Sequence, residues 1–230
     1  MRTALRLAAE YDRPADLHCD ETDDDQSRFL ELLAAETIRL GLGGRVTASH
    51  TTAMHSYNNA YAHRLIRWMR HAGVHFITNP LDNAVLQGRF DAYPIRRGFT
   101  RVKELLANGI NVCIGHDSIM DPWYPLGVGD PLQACFVMVH YGQMSGRDEL
   151  ETMLDLVTTR AAACFGAEDY GLEEGKRADL VLFDAPTAVD AVRTLAARRV
   201  VISRGRIVAE TRPARSTVRW ENRDEEIRFV

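Results

Sequence analysis

Arg45-Val46-Thr47-Ala48-Ser49-His50 is a short run of small and β-branched residues that ends on a polar side chain. A loop follows, then residues 58–71, whose apolar side chains recur at helical spacing until Gly73 stops the run. Together they read as one strand–helix unit. The pattern repeats on both sides. Upstream, residues 15–19 read as a strand and residues 24–40 as a helix, with Asp23, Asp24 and Asp25 at its start and Gly41 at its end. Downstream, residues 74–79 form a strand candidate broken by Pro80, and a long polar loop leads to a helix over 101–108. A last strand candidate spans 110–116, with helices expected over 132–143 and 148–165. Residues 1–13 read as a helix with no strand before it.

The strand ends fall near His18, His50, Asn79 and Asp117, spaced by about thirty residues, the size of one βα repeat. Alternation of this kind predicts an α/β fold with a parallel sheet. In a (β/α)8 barrel the carboxyl ends of the strands form the active-site face, so a polar residue at each end points to chemistry. Four strands are half of such a barrel, and the expectation is a fragment: residues 1–170 as a partial barrel. From Gly171 the composition changes. Strand-like runs at 178–184, 199–203, 206–209 and 217–220, with Arg204-Gly205 as a hairpin turn, give residues 171–230 the look of a small β-rich appendage.

Composition narrows the class of function. The net charge of −4, with both signs interspersed, leaves no basic footprint for nucleic acid. No apolar run approaches the ~20 residues that span a bilayer, and the amino terminus has no long apolar segment of a secretory signal. The four cysteines, Cys19, Cys113, Cys135 and Cys164, form no C-x-x-C pair, which fits a reducing cytoplasm.

Taken singly, a strand-end histidine is an ordinary hydrogen-bonded residue. His18 with Glu21, then His50, then Asp117 make a more informative set: two imidazoles and two carboxylates that a barrel brings to one rim. Imidazole with carboxylate suits Zn²⁺ or Fe²⁺. Glu21, just past a strand end, is suited to general acid/base work beside such an ion.

The segments His18-Cys19-Asp20-Glu21, Val46 through Ser56, Leu86 through Asp91, Arg96-Arg97-Gly98, Gly115-His116-Asp117 and Asp121 through Gly127 resemble those of bacterial cytosine deaminases, in the amidohydrolase superfamily. Gly175 through Val181 and the hairpin at Arg204-Gly205 are similar to the carboxyl-terminal end of many amidohydrolases. The resemblance implies the latter half of a distorted (β/α)8 TIM-type barrel, about strands five to eight, followed by a segment of a β-sandwich. It implies one divalent metal, Fe²⁺ or Zn²⁺, with His18 and Asp117 as ligands. Glu21 would carry a proton to the substrate ring, His50 would steer and polarise the attacking water, and Trp123 would wall the pocket. The implied activity is hydrolytic deamination of cytosine or a related aminated heterocycle, a small-molecule substrate, in an enzyme expected to form homo-oligomers when intact and, as the cysteines suggest, to be cytoplasmic.

Two departures from that pattern matter. The family's strand-one His-x-His pair has no counterpart among the eight histidines, which leaves two of the expected ligands and predicts weak metal binding and no activity for the isolated chain. Ser118 stands where bacterial cytosine deaminases carry a second aspartate. A serine is neutral and both donates and accepts, which opens the pocket to isocytosine, a 5-substituted cytosine, creatinine or an aminotriazine. Hydrolysis of a cyclic amide and a non-catalytic truncated product are the rival readings.

Overall fold

In a computed structural model the described residues are 1–212, 214–220 and 223–227. They form two compact units that divide after residue 168. In the first, helix α1 (Arg2–Glu10) precedes β1 (Ala15–Cys19), α2 (Phe29–Leu40), β2 (Val46–His50), a 3-10 turn (Thr52–His55), α3 (Asn59–Ala72) and β3 (Val74–Thr78). Then come α4 (Pro80–Leu86), α5 (Val102–Ala107), β4 (Val112–Ile114), α6 (Pro131–Tyr141), α7 (Arg147–Glu151), a second 3-10 turn (Met153–Val157) and α8 (Thr159–Cys164).

The four strands pair in parallel in the order β1-β2-β3-β4, as the strand–helix alternation predicts. Register sorts their side chains into two faces. Val46, Ala48, Val74, Phe76, Val112 and Ile114 share one face and are all buried. With Leu30 and Leu33 of α2 and Leu65, Ile66 and Met69 of α3 they make the apolar core, each large side chain contributing about 1.5–3 kcal/mol by leaving water. The other face carries Asp16, His18, Thr47, Ser49, His75, Ile77 and Cys113. Its β4 end meets α8, where the Cys113 and Cys164 sulfurs lie 3.5 Å apart and the Asn111 amide donates to the Arg160 carbonyl. At its β1 end Asp16 and His18 are exposed.

Several boundaries differ from the sequence reading, each for a local reason. Helix α2 starts at Phe29 rather than residue 24. The Asp20 carboxylate reaches forward and accepts from the backbone N–H groups of Phe29 and Leu30, both at 2.9 Å, and from Ser27 Oγ at 2.7 Å. An aspartate outside the helix thus satisfies its first donors, and the acidic run before it belongs to a loop. Pro80 begins a helix instead of only ending a strand, because at a first helical position its missing N–H costs nothing. The helix expected over 148–165 is three short pieces. The hydroxyls of Thr152 and Thr158 bond back to the carbonyls of Asp148 and Leu154, and the backbone of Thr158 (φ −124°, ψ −97°) leaves the helical region.

In the second unit β5 (Leu180–Phe183), β6 (Arg198–Ser203) and β7 (Arg206–Glu210) form an antiparallel sheet, with Arg204-Gly205 as the turn between β6 and β7. Helix α9 (Ala188–Thr194) lies between β5 and β6, so this unit is not purely β. Its signal was present in the sequence: Thr187 accepts from the Asp190 N–H at 3.0 Å and donates to the Asp190 carboxylate at 2.7 Å, a side-chain cap at the first turn. β8 (Ser216–Trp220) and β9 (Arg223–Ile227) form a separate hairpin. Among the described residues no helix is long and apolar enough to cross a membrane.

Candidate active site

The carboxyl end of the parallel sheet holds four non-glycine residues with left-handed backbone: Asp20 (φ 50°), His50 (φ 65°), Thr51 (φ 50°) and Asp117 (φ 64°). That region is costly for any side chain with a Cβ, and residues held there are concentrated at functional sites. At His50 the consequence is visible. Strand alternation would set its side chain with Ala48, yet its ring packs edge-on against His18 of the opposite face, with centroids 4.5 Å apart.

His50 is the hub. Its ring is 1% exposed. Nδ1 lies 3.0 Å from Glu21 Oε1, and Nε2 lies 3.5 Å from Asp117 Oδ2. The Asn83 amide lies 3.1 Å from Nδ1, and the Asn79 amide lies against the ring edge and 3.3 Å from Ser49 Oγ. With Asn83 donating, Nδ1 is the acceptor and Nε2 carries the proton that faces Asp117, an assignment made from the donors around the ring. Asn79 reaches this position because residue 115 is glycine: a Cβ there would stand 2.2 Å from the side-chain Oδ1 of Asn79.

Burial dominates the electrostatics. It pushes His50 down to about 4, a shift that the Asp117 carboxylate opposes, so the ring is neutral near pH 7. It pushes Glu21 up to about 7, with the charges of Asp82 and Asp117 adding to the rise and His18 opposing it. Asp82, in the first turn of α4, is likewise raised to about 6, chiefly by burial.

Ligand atoms of His18, Glu21 and His50 lie within 4.8 Å of one another, as do those of Glu21, His50, Asp82 and Asp117. His18 and Asp117, the two metal ligands the resemblance implies, thus stand in overlapping groups joined through Glu21 and His50. The mixed imidazole and carboxylate donors fit a divalent transition metal. Ser118 hydrogen-bonds toward Asp82 and Asp121. Trp123 is 60% exposed, on a loop whose turn is held by its own N–H and that of Tyr124 donating to Asp121. The structure therefore gathers Glu21, His50, Asp117, His18 and Ser118 and leaves Trp123 outside the cluster.

Sequence reasoning placed Asn79 at a strand end but gave it no role, and it missed Asp82 and Asn83 as members. Their signal was the stretch Asn79-Pro80-Leu81-Asp82-Asn83 directly after a strand. Pro80 drew attention as a breaker, whereas it opens the helical turn that carries Asp82 and Asn83.

A second polar network braces the loops. Arg96 donates to the Asp23 carbonyl at 2.9 Å and to Ser56 Oγ at 2.7 Å, and its guanidinium clasps the Asp91 carboxylate. The Asp23 carboxylate in turn accepts from the Gly88 N–H at 2.7 Å and lies 3.1 Å from His55 Nε2. Of the hollow lined by Asp23, Asp24, Asp25, His55, Ser56 and Arg96, the Asp23, His55, Ser56 and Arg96 side is therefore built of groups already paired within this network. Its role is to tie the segments after β1, β2 and β3 together. The guanidinium holds the Asp91 carboxyl down at about 2. A carboxyl lowered in the folded state stabilises above its ordinary value of about 4 and loses that contribution as pH falls toward 2. Arg96→Met is accordingly expected to lower the urea midpoint at pH 7, with the gap to wild type closing between pH 4 and pH 2. A gap that stayed constant across that range would rule out the ion pair as its source.

The chain matches the family described as "Amidohydrolase family" over residues 1–209. It is 46% identical to a crystal structure of 5-methylcytosine deaminase from Klebsiella pneumoniae liganded with 5-fluorocytosine, with a TM-score of 0.89 over 94% of this chain and 52% of that one. It is 31% identical to N-isopropylammelide isopropylaminohydrolase from Burkholderia multivorans, with a TM-score of 0.76 over 91% of this chain and 51% of that one. A pterin deaminase of Rhizobium rhizogenes is 32% identical over 211 residues, which are 91% of this chain and 48% of that protein. The chain spans about half the length of these relatives, and it belongs to the amidohydrolase family.

Proposed function

We propose that this chain supplies the latter half of a distorted (β/α)8 barrel, about strands five to eight, with a segment of a β-sandwich in its second unit. The intact enzyme hydrolytically deaminates cytosine or a closely related aminated heterocycle and releases ammonia. One observation carries the reading. Neutral, buried His50 links Glu21, raised to about 7, to Asp117 at the end of a parallel sheet. The 46% identity to a 5-methylcytosine deaminase supports the substrate class.

His18 and Asp117 would hold one divalent ion, Zn²⁺ or Fe²⁺. When bound, that ion supplies Lewis acidity and a more acidic water. The chain's own groups do the rest. Glu21 at neutral pH is poised between its two protonation states, so it holds a proton at its carboxyl and delivers it to the ring nitrogen beside the amino-bearing carbon. His50 keeps its Nε2–H directed at Asp117 and orients the attacking water. Asp117 accepts the proton that water gives up. Trp123, on its exposed loop, closes over the planar ring of a bound substrate.

Ser118 tunes which ring is taken. A neutral hydroxyl where the resemblance to bacterial cytosine deaminases implies a carboxylate favours a substituted ring over cytosine itself. We expect the intact enzyme to release ammonia from a panel containing cytosine, 5-methylcytosine, isocytosine, creatinine and an aminotriazine, with a substituted ring preferred. Ser118→Asp is expected to move that preference toward cytosine by about tenfold or more, the scale of one pocket contact. Ammonia release from none of the panel would sink the deaminase reading. Identical preferences before and after the substitution would remove Ser118 from the specificity argument.

A further inference from the structure

We propose that Cys113 and Cys164 form a reversible oxidation site, at which hydrogen peroxide converts the two thiols into a disulfide that ties the end of α8 to β4. The site lies outside the cluster around His50 and does not depend on the deaminase reading.

The two sulfurs lie 3.5 Å apart although 51 residues separate them in the chain, so no C-x-x-C spacing announces the pair. Both are free thiols, 3% and 8% exposed. Cys113 is the middle residue of β4, and Cys164 is the last residue of α8. A disulfide brings its sulfurs to about 2.05 Å, which here requires an approach of about 1.5 Å. Helix α8 is six residues long and runs directly into exposed Phe165, so its last turn has room to make that movement.

The surroundings of the two sulfurs are unequal. Cys164 Sγ accepts from the Asn111 amide at 3.3 Å, and Thr47 hydrogen-bonds toward it. The same Asn111 amide is held in place by donating to the Arg160 carbonyl at 3.0 Å. With the Cys113 thiol donating as well, Cys164 is held below the usual thiol value, against burial and the Asp16 carboxylate, while Cys113 is pushed up. The thiolate is the reactive form, so Cys164, also the more exposed of the two, is the nucleophile. Packing alone asks for no donors around a sulfur. Cys19 and Cys135 illustrate that case: burial pushes both thiols up, Cys135 to about 12, and neither has a sulfur neighbour among the described hydrogen bonds.

The chemistry balances in two steps. The Cys164 thiolate attacks one oxygen of hydrogen peroxide; an S–O bond forms, the O–O bond breaks, and hydroxide leaves to take up the proton that Cys164 released. The Cys113 sulfur then attacks the Cys164 sulfenic acid; the S–S bond forms, the S–O bond breaks, and the Cys113 proton leaves with the hydroxide as water. Two thiols are oxidised to one disulfide, and one peroxide is reduced to two waters. A small neutral oxidant suits sulfurs with this little exposure.

The test treats the reduced, intact enzyme with hydrogen peroxide, alkylates it in denaturant and maps its peptides before and after dithiothreitol. The expected product joins the peptides of Cys113 and Cys164, is reversed by dithiothreitol, and leaves Cys19 and Cys135 alkylated. Its urea midpoint should rise and return on reduction, because the cross-link closes a long loop in the unfolded chain. Dimedone should label Cys164 in Cys113→Ser, where the sulfenic acid has no thiol to meet, and should leave Cys113 unlabelled in Cys164→Ser. Alkylation of all four cysteines after peroxide, a cross-link through Cys19 or Cys135, or a lower midpoint in the cross-linked form would overturn the proposal. A dimedone label on Cys113 would overturn the order of attack. The wild-type map decides the pairing even if a serine variant folds poorly.

Discussion

Glu21→Gln in the intact enzyme is expected to lower kcat for ammonia release by about 10²–10⁴-fold, the usual contribution of a positioned general acid or base, with little change in KM. Glutamine matches the size of the side chain and can turn its amide N–H toward His50 Nδ1, which lies 3.0 Å from Glu21 Oε1 in wild type, so the change removes a transferable proton and little else. The pH profile makes the attribution specific. Burial raises the Glu21 carboxyl to about 7, so its proton-bearing form dominates below that pH and is lost above it. Wild-type activity should therefore fall as pH rises through about 7, and the residual activity of the glutamine variant should lack that limb. An unchanged limb in the variant would assign it to another group. The same shift carries a stability consequence of opposite sign to a salt-bridged acid. A carboxyl raised in the folded state binds its proton more tightly there than in the unfolded chain, so it destabilises progressively as pH climbs from its unfolded value to about 7 and beyond. The glutamine variant should be at least as stable as wild type at pH 8, which would show that activity is being lost from a well-folded protein.

The order of elements was legible because the parallel strands run into polar residues and the two longest helices stop on a glycine: Gly41 and Gly73 both terminate helices in left-handed backbone. What escaped was set by contacts between residues far apart in sequence. Asp20 caps α2 from outside the helix, so the acidic run 23–25, a plausible helix start in one dimension, is a loop in three. The same limit applies at the site. His18, Glu21, His50 and Asp117 stand out individually because they sit at strand ends. That the His50 ring is gripped by Asn79 and Asn83, and that Gly115 makes room for Asn79, depends on β2, β3 and β4 being neighbours. Asp82 was invisible for a different reason. A carboxylate in a first helical turn is usually there for the helix, and only its burial and unpartnered oxygen mark it out.

Asp117→Asn is expected to reduce metal affinity of the intact enzyme by at least about 100-fold, beyond the 10–100-fold that follows loss of an outer-shell partner. Asparagine is the informative substitution here. Asp117 holds a φ of 64°, and asparagine is among the few residues that adopt such a backbone without large strain, so the variant loses a charge without a change of fold. Alanine at the same position would add backbone strain and confuse the two effects. Loss of the charge should also propagate through the cluster. The Asp117 carboxylate contributes to the raised values of both Glu21 and Asp82 and opposes the fall at His50, so its removal should lower all three. Metal per chain after dialysis checks the first expectation, and NMR titration of the Glu21 carboxyl and the His50 ring in metal-free protein checks the second. Full retention of metal in Asp117→Asn would remove Asp117 from the ligand set. An unshifted Glu21 would mean that burial alone sets its proton affinity, and the fall in rate above pH 7 would then have to survive the loss of its neighbour's charge.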